Sequence, residues 1–212
     1  MAGSLLVASA LLAACGSSSS PSTTTSTSPA ASTTTTTLTP TQAAALDPKL
    51  LAVGDLPTGW TLDADPNAAS TKNTPACLAN VALAKGSVAR ANIVFVGPKG
   101  PPPAAIQTVA VFAPDQAAKS AKPLQSGFQS CNGATLSQGG QSARLAVAPL
   151  TVASTGQGGF AAQMVISANS LHAYLDVFYG VKGDVATVVI WRSTSSSTTA
   201  FQQTAAKALA KL

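Results

Sequence analysis

There is no glutamate in this chain of 212 residues; all seven acidic residues are aspartates. There is one histidine, His172, and only three cysteines. Charged residues make up 9% and aromatics 5%. Each shortage removes a class of function. A carboxylate-pair glycosidase needs two acidic groups converging on one bond, and seven thinly spread aspartates offer no candidate pair. Any histidine-based triad must use His172. Asp176 lies four residues on along the same strand face, roughly 13 Å away at about 3.3 Å per residue, which is no hydrogen-bonded dyad. The twelve Lys and Arg give a net charge of +5, but they are scattered. With so few aromatics to stack on bases, no basic stripe suited to nucleic acid emerges.

Long apolar runs are missing too. The longest, SLLVASALLAA from Ser4 to Ala14, falls short of the ~20 residues a membrane-crossing helix takes. Its length fits the apolar segment of a secretory signal. It ends at Leu12-Ala13-Ala14-Cys15, an aliphatic residue and two small ones before a cysteine. This junction resembles the lipobox of bacterial lipoproteins. That resemblance implies cleavage before Cys15 and lipidation of its sulfur, with residues 1–14 as the signal peptide. Met1-Ala2-Gly3 carries no Lys or Arg, a departure from the basic start usual in such signals. Two or three acyl chains on Cys15 would make attachment to the outer face of the cell membrane stable, where a single chain is only marginal.

Residues 15–45 follow as a linker, almost pure Ser, Thr, Pro and Ala from Ser17 to Thr41. No hydrophobic period survives there, so no core can form. A flexible chain of this kind spans roughly 25–30 Å on average. Its composition suits either O-glycosylation or an unmodified spacer.

The folded domain is expected over 46–212. LDPKLLAVGDLPTGW predicts a short helix around Pro48–Val53, stopped by Gly54 and Pro57. Alternating runs predict strands at GWTLDAD, RANIVFVG, IQTVAVFA, SARLAVAPL and FAAQMVISA, and a pair, AYLDVFYG and DVATVVIW, closed by a turn at VKGD. Asp115 is positioned to cap a helix with Ala117, Ala121, Leu124 and Phe128 on one face, and Pro123 to kink or shorten it. Thr198 or Thr199 opens a C-terminal helix with the stripe Phe201, Ala205, Ala208 and Leu212. The fold class is α+β: a single antiparallel sheet with the helices packed on one face.

Setting Cys15 aside leaves Cys77 and Cys131. An even pair in an exported protein reads as a disulfide. Closing a loop of about 55 residues contributes about 4 kcal/mol in the chain-entropy model. Two cysteines without other ligands make no zinc site. Asp63 and Asp65 have no further acidic partners at calcium-loop spacing and read as solvated turn residues. GQSAR at Gly140 lacks the second glycine of a nucleophile elbow. GQGGF at Gly156 lies between strands and reads as a hairpin connection rather than a phosphate loop. No cofactor, metal or catalytic residue is assigned.

The order of features resembles a family of small actinobacterial envelope lipoproteins. A Ser/Thr linker leads to LLAVGDLPTGW, and a first cysteine stands in TPACLA. The strands ANIVFVG and IQTVAVFAP then lead into the helix DQAAKSAKPLQSGFQSC, which ends in the second cysteine. The domain of that family is similar to the extracellular sensor domain of PknH-like receptor Ser/Thr kinases. The resemblance implies an antiparallel sheet with flanking helices and a role in recognising a ligand or partner, without catalysis. No ligand-binding residue is carried over. The expected function is thus a lipid-anchored, non-enzymatic sensing or recognition module of the cell envelope. Its partners would be the membrane, through Cys15, and an envelope ligand or protein. The rivals are a carrier holding a lipid in an apolar cavity and, behind it, a wall-acting hydrolase.

Overall fold

The computed structural model describes residues 45–63, 77, 85–98, 104–138 and 141–212. The signal peptide expected at 1–14, Cys15, the Ser/Thr tract from Ser17 to Thr41 and Asp65 lie outside the described residues. Two 3-10 turns, Asp47–Lys49 and Val53–Asp55, precede β1 (Thr61–Leu62), β2 (Ala89–Val96) and β3 (Ala104–Val111). Then come α1 (Gln116–Gln129), β4 (Thr135–Gln138), β5 (Gln141–Pro149), β6 (Phe160–Ala168), β7 (Leu171–Lys182), β8 (Val185–Ser193) and α2 (Thr199–Ala210). The eight strands form one sheet in the order β1-β2-β3-β8-β7-β6-β5-β4, with every neighbouring pair antiparallel. The α+β class and the single antiparallel sheet are therefore as the sequence implies.

The chain leaves the sheet at β3, in its interior, and re-enters at the far edge, β4. Five strand spacings separate the two, about 24 Å. The 14 residues of α1 make a helix of about 21 Å, long enough to carry the chain across beneath β8, β7, β6 and β5. From β4 the chain returns as a meander of hairpins. The last of these joins Lys182 to Val185 through Gly183-Asp184. Gly183 has φ +60°, at the position where a type II′ turn takes glycine.

Both helices were expected on one face, and that is where the structure corrects the sequence reading. Ala117, Ala121, Leu124 and Phe128 of α1 pack on Phe160, Met164, Val177, Tyr179 and Val188. Phe201, Ala205 and Ala208 of α2 pack on the opposite face, with Phe95, Phe178, Val189 and Trp191. The central strands explain why. Residues 176–181 of β7 are buried without a break, as are 186–189 of β8. Strands apolar on both faces need a cover on both, and a helix on one side alone would leave Phe178 and Val189 in water. The small residues of the two helix stripes allow each helix to lie close to the sheet. Tyr179, 1% exposed, donates its hydroxyl to the Ala117 carbonyl at 3.0 Å, and burial pushes its pKa up despite a bond from Ser120.

The helix expected around Pro48–Val53 is absent, replaced by the two 3-10 turns with Leu50 extended between them. A buried side chain competes for the backbone there. Gln107 of β3 is 0% exposed. Its Oε1 accepts the Leu51 N–H at 2.6 Å, and its Nε2 donates to the Lys49 carbonyl at 3.3 Å and to Thr187 Oγ1 at 3.0 Å. These bonds hold the segment flat on the α2 face. The C-terminus closes over it: Lys211 pairs with Asp55 at 3.1 Å, Lys207 Nζ donates to the Asp55 carbonyl at 2.7 Å, and Lys49 Nζ to the Leu212 carbonyl at 3.1 Å. Partial burial opposes the Asp55 charge, but the Ala52 N–H and the Lys211 ammonium outweigh it and lower the pKa.

Three smaller departures have local causes. β4 was not expected, because TLSQ is short and polar; its pairing with β5 defines it. α1 runs through Pro123 without a break. Asp115 stands at its N-cap, but its side chain makes no capping bond and its backbone is left-handed, φ 62°.

Candidate functional site

That left-handed aspartate marks one wall of the larger recess. The recess has a volume of about 560 Å³ and is lined by Asp115, Ala118, Lys119, Gln157, Gly183 and Asp184. Three elements meet there: the start of α1, the tip of the β7–β8 hairpin, and the β5–β6 connection. Two of the lining side chains hold the walls together. Asp184 Oδ1 accepts the Asp115 N–H at 3.0 Å, so a hairpin carboxylate sits at the positive end of α1, where the helix dipole favours it. Gln157 Oε1 accepts the Gly183 N–H at 2.8 Å.

The β5–β6 connection is pinned by its backbone. Gln157 N–H donates to the Val181 carbonyl at 3.0 Å, and Val181 N–H to the Thr155 carbonyl at 3.1 Å. Gly156 has φ +71°, and a Cβ there would strike the Val181 carbonyl. Only glycine fits. This explains the GQGGF stretch: its glycines let the connection lie against β7 and present Gln157 to the recess. Left-handed backbone thus gathers at Asp115, Gly156, Gly158 and Gly183; the glycines adopt it freely, and Asp115 alone among them carries strain.

The recess offers an ammonium at Lys119, carboxylates at Asp115 and Asp184, and the Gln157 amide. It is a polar surface bearing both signs. A second, smaller recess of about 140 Å³ lies between the end of α1 and strands β5 and β6, lined by Gln125, Gln129, Asn132, Val147, Pro149 and Phe160 among others. Among the described residues, neither is the enclosed apolar chamber a lipid carrier needs.

Other residues singled out in the sequence lie elsewhere. Cys77 and Cys131 are joined in a disulfide with Cα atoms 5.3 Å apart, and Cys131 is buried at the end of α1. It ties residue 77 to the α1 face. His172 is exposed near the start of β7, beyond the reach of β8. Its Nδ1 lies 2.9 Å from Ser167 Oγ, a cross-strand pair that the sequence reading did not find. The spacing that hides it is visible only in the register Ser167↔His172. Asp176 does not approach this pair; its Oδ1 accepts Gln163 Nε2 at 2.8 Å. Burial at 1% exposure raises the Asp176 pKa, the Gln163 bond opposing it. Among the described residues no group of three or more His, Cys, Asp or Glu could hold a metal ion, and no helix is long and apolar enough to cross a membrane.

No family model matches this chain, and no curated protein matches it. Among solved structures it is similar to the extracellular domain of PknH from Mycobacterium tuberculosis, with 16% identity and a TM-score of 0.48, covering 72% of this chain and 76% of that one.

Proposed function

We propose that the chain is a lipid-anchored recognition module on the outer face of the cell membrane, held at Cys15, spaced by the 15–45 linker, and acting without catalysis through its 46–212 domain. The recess of Asp115, Lys119, Gln157 and Asp184 carries the reading. Asp184 and Gln157 are committed to holding backbone N–H groups, so they shape the recess rather than react in it. Lys119 and Asp115 then offer one charge of each sign to a polar ligand or partner loop. The Cys77–Cys131 bridge supports an oxidising, extracytoplasmic compartment, since such bonds are rare in reducing ones. Lipidation at Cys15 rests on the Leu12-Ala13-Ala14-Cys15 junction.

Three experiments test the reading. In the host, Cys15→Ala releases the protein from the membrane fraction; equal retention overturns the anchor. With the purified full chain, dipeptides and amino sugars are titrated while amide shifts are followed by NMR. Saturable changes confined to residues 115–119, 157 and 183–184, lost in Lys119→Gln, support the recess. Turnover of esterase, peptidase or glycosidase substrates that vanishes in His172→Ala or an Asp→Asn variant overturns the non-catalytic assignment.

A further inference from the structure

Among the described residues, the α2 face of the sheet is not covered along its whole length. α2 lies over β7 and β8 around Phe178 and Val189. At the other end of β7 the strands β4, β5 and β6 extend past it. There the register sets Thr135 opposite Arg144, Arg144 opposite Ser167, and Ser167 opposite His172. Residues directly opposite share a face and stand about 4.5–5.5 Å apart, so Arg144 and His172 flank Ser167 about 10 Å apart. Arg144 and His172 are exposed and Ser167 is partly so. This row lies about 36 Å from the recess, eleven residues along the strand at about 3.3 Å each.

We propose that Arg144, Ser167 and His172 form a binding site for a phosphate-type oxyanion, separate from the recess at the other end of the strand. The chemistry of the Ser167–His172 pair supports it. Whichever atom donates in the 2.9 Å bond, one donor is left over. If Ser167 O–H donates to Nδ1, then Nε2–H remains; if Nδ1–H donates to Oγ, then the Ser167 O–H remains. The protonated ring keeps both and adds a charge. Arg144 supplies a planar fork of N–H groups one strand away, suited to two oxygens at once. A group with three or more oxygens can therefore engage all three side chains, where a carboxylate engages two.

The electrostatic surroundings favour an anion. On this face β4 contributes Thr135 and Ser137, β5 Ser142 and Ala146, β6 Val165, and β8 Ser193, none of them acidic. β7 itself carries Tyr174 and, further on, Asp176, which is buried and bonded to Gln163. Arg192 of β8 is on the other face, opposite Leu175. Among the described residues no carboxylate thus pairs with Arg144 on this face, and the described neighbours of the row are mostly small.

His172 is the chain's single histidine, so its imidazole gives one set of ring signals in NMR of the full chain. The probes are sulfate, whose charge is constant between pH 6.0 and 7.5, and inorganic phosphate, with ionic strength held by chloride. The expected result is a saturable shift of the His172 ring signals with sulfate and with phosphate alike. Arg144→Gln weakens binding at least about tenfold, as loss of charge-assisted hydrogen bonds demands, with an unchanged unfolding midpoint. His172→Gln, followed through the Ser167 amide, weakens binding as well. Vesicles of phosphatidylglycerol against phosphatidylcholine then separate a lipid headgroup from a free phosphate as the source. Shifts that rise linearly without saturating, or are equal in Arg144→Gln, overturn the site.

Discussion

Replacing Gln107 by leucine keeps nearly the same volume and removes three hydrogen bonds from a dry position. Gln107 is 0% exposed, so no water stands ready to replace them. The Leu51 N–H loses its acceptor at 2.6 Å and the Lys49 carbonyl its donor at 3.3 Å. Thr187, third partner at 3.0 Å, can turn its hydroxyl elsewhere. Each buried group left unsatisfied costs about 1–3 kcal/mol, and the added apolar surface of leucine returns about 1–2 kcal/mol. The net loss expected is about 1–4 kcal/mol, a fall of about 5- to 1000-fold in the folding constant. Urea unfolding followed by tryptophan fluorescence reads it well, because the Trp60 and Trp191 rings pack with centroids 4.4 Å apart, tilted at 38°, on the same face. Amide exchange at Leu51 should accelerate more than exchange at β6 and β7, since the bonds lost are those pinning the 46–56 segment. Thr187→Val orphans one buried Gln107 N–H but strands no backbone group, so it should cost about 1–3 kcal/mol and leave Leu51 exchange unchanged relative to global unfolding. A Gln107→Leu protein within about 0.5 kcal/mol of the parent, with Leu51 protection unchanged, refutes the clamp.

Four further outcomes are expected. Reducing the Cys77–Cys131 bridge, or replacing both cysteines by serine, should cost about 4 kcal/mol for a sequence separation of 54; calorimetry with and without reductant checks it. Asp176 has a raised native pKa through burial, so the native state holds its proton longer than the unfolded chain. Stability therefore falls as pH rises from the unfolded value, near 3.9, through the native one, and then levels. Asp176→Asn should raise the urea midpoint at neutral pH and gain nothing below the unfolded value; an equal effect at both pH values contradicts the assignment. Gly156→Ala should cost about 2 kcal/mol or more, because its φ of +71° and the Val181 carbonyl both exclude a Cβ. Gly183→Asn, at φ +60° with nothing near its Cβ, should cost under about 1 kcal/mol.

What the sequence determined by itself was local. The runs RANIVFVG, IQTVAVFA, FAAQMVISA and DVATVVIW are strands because their residue types and lengths suit a pleated, buried surface. The α1 stripe Ala117, Ala121, Leu124 and Phe128 is a face because the helical repeat makes it one, and Gly183-Asp184 turns the last hairpin because glycine tolerates its backbone. The cysteine pair was legible by counting.

Only the tertiary structure decided the rest, because each remaining feature depends on which strands become neighbours. β3 pairs with β8 across about eighty residues of chain, and α1 spans the gap. The two helices take opposite faces because β7 and β8 are apolar on both sides, which a run such as VFYGV does not reveal while its partners are unknown. Gln107 is an ordinary strand residue until Leu51 is laid against it, and then it prevents a helix that local propensity favoured. The recess is likewise non-local: Asp115, Gln157 and Asp184 belong to three separate stretches, and hydrogen bonds to one another's backbone bring them together. Arg144, Ser167 and His172 share a row because two hairpin registers align them, and a shift of one residue in either would send one of them to the other face.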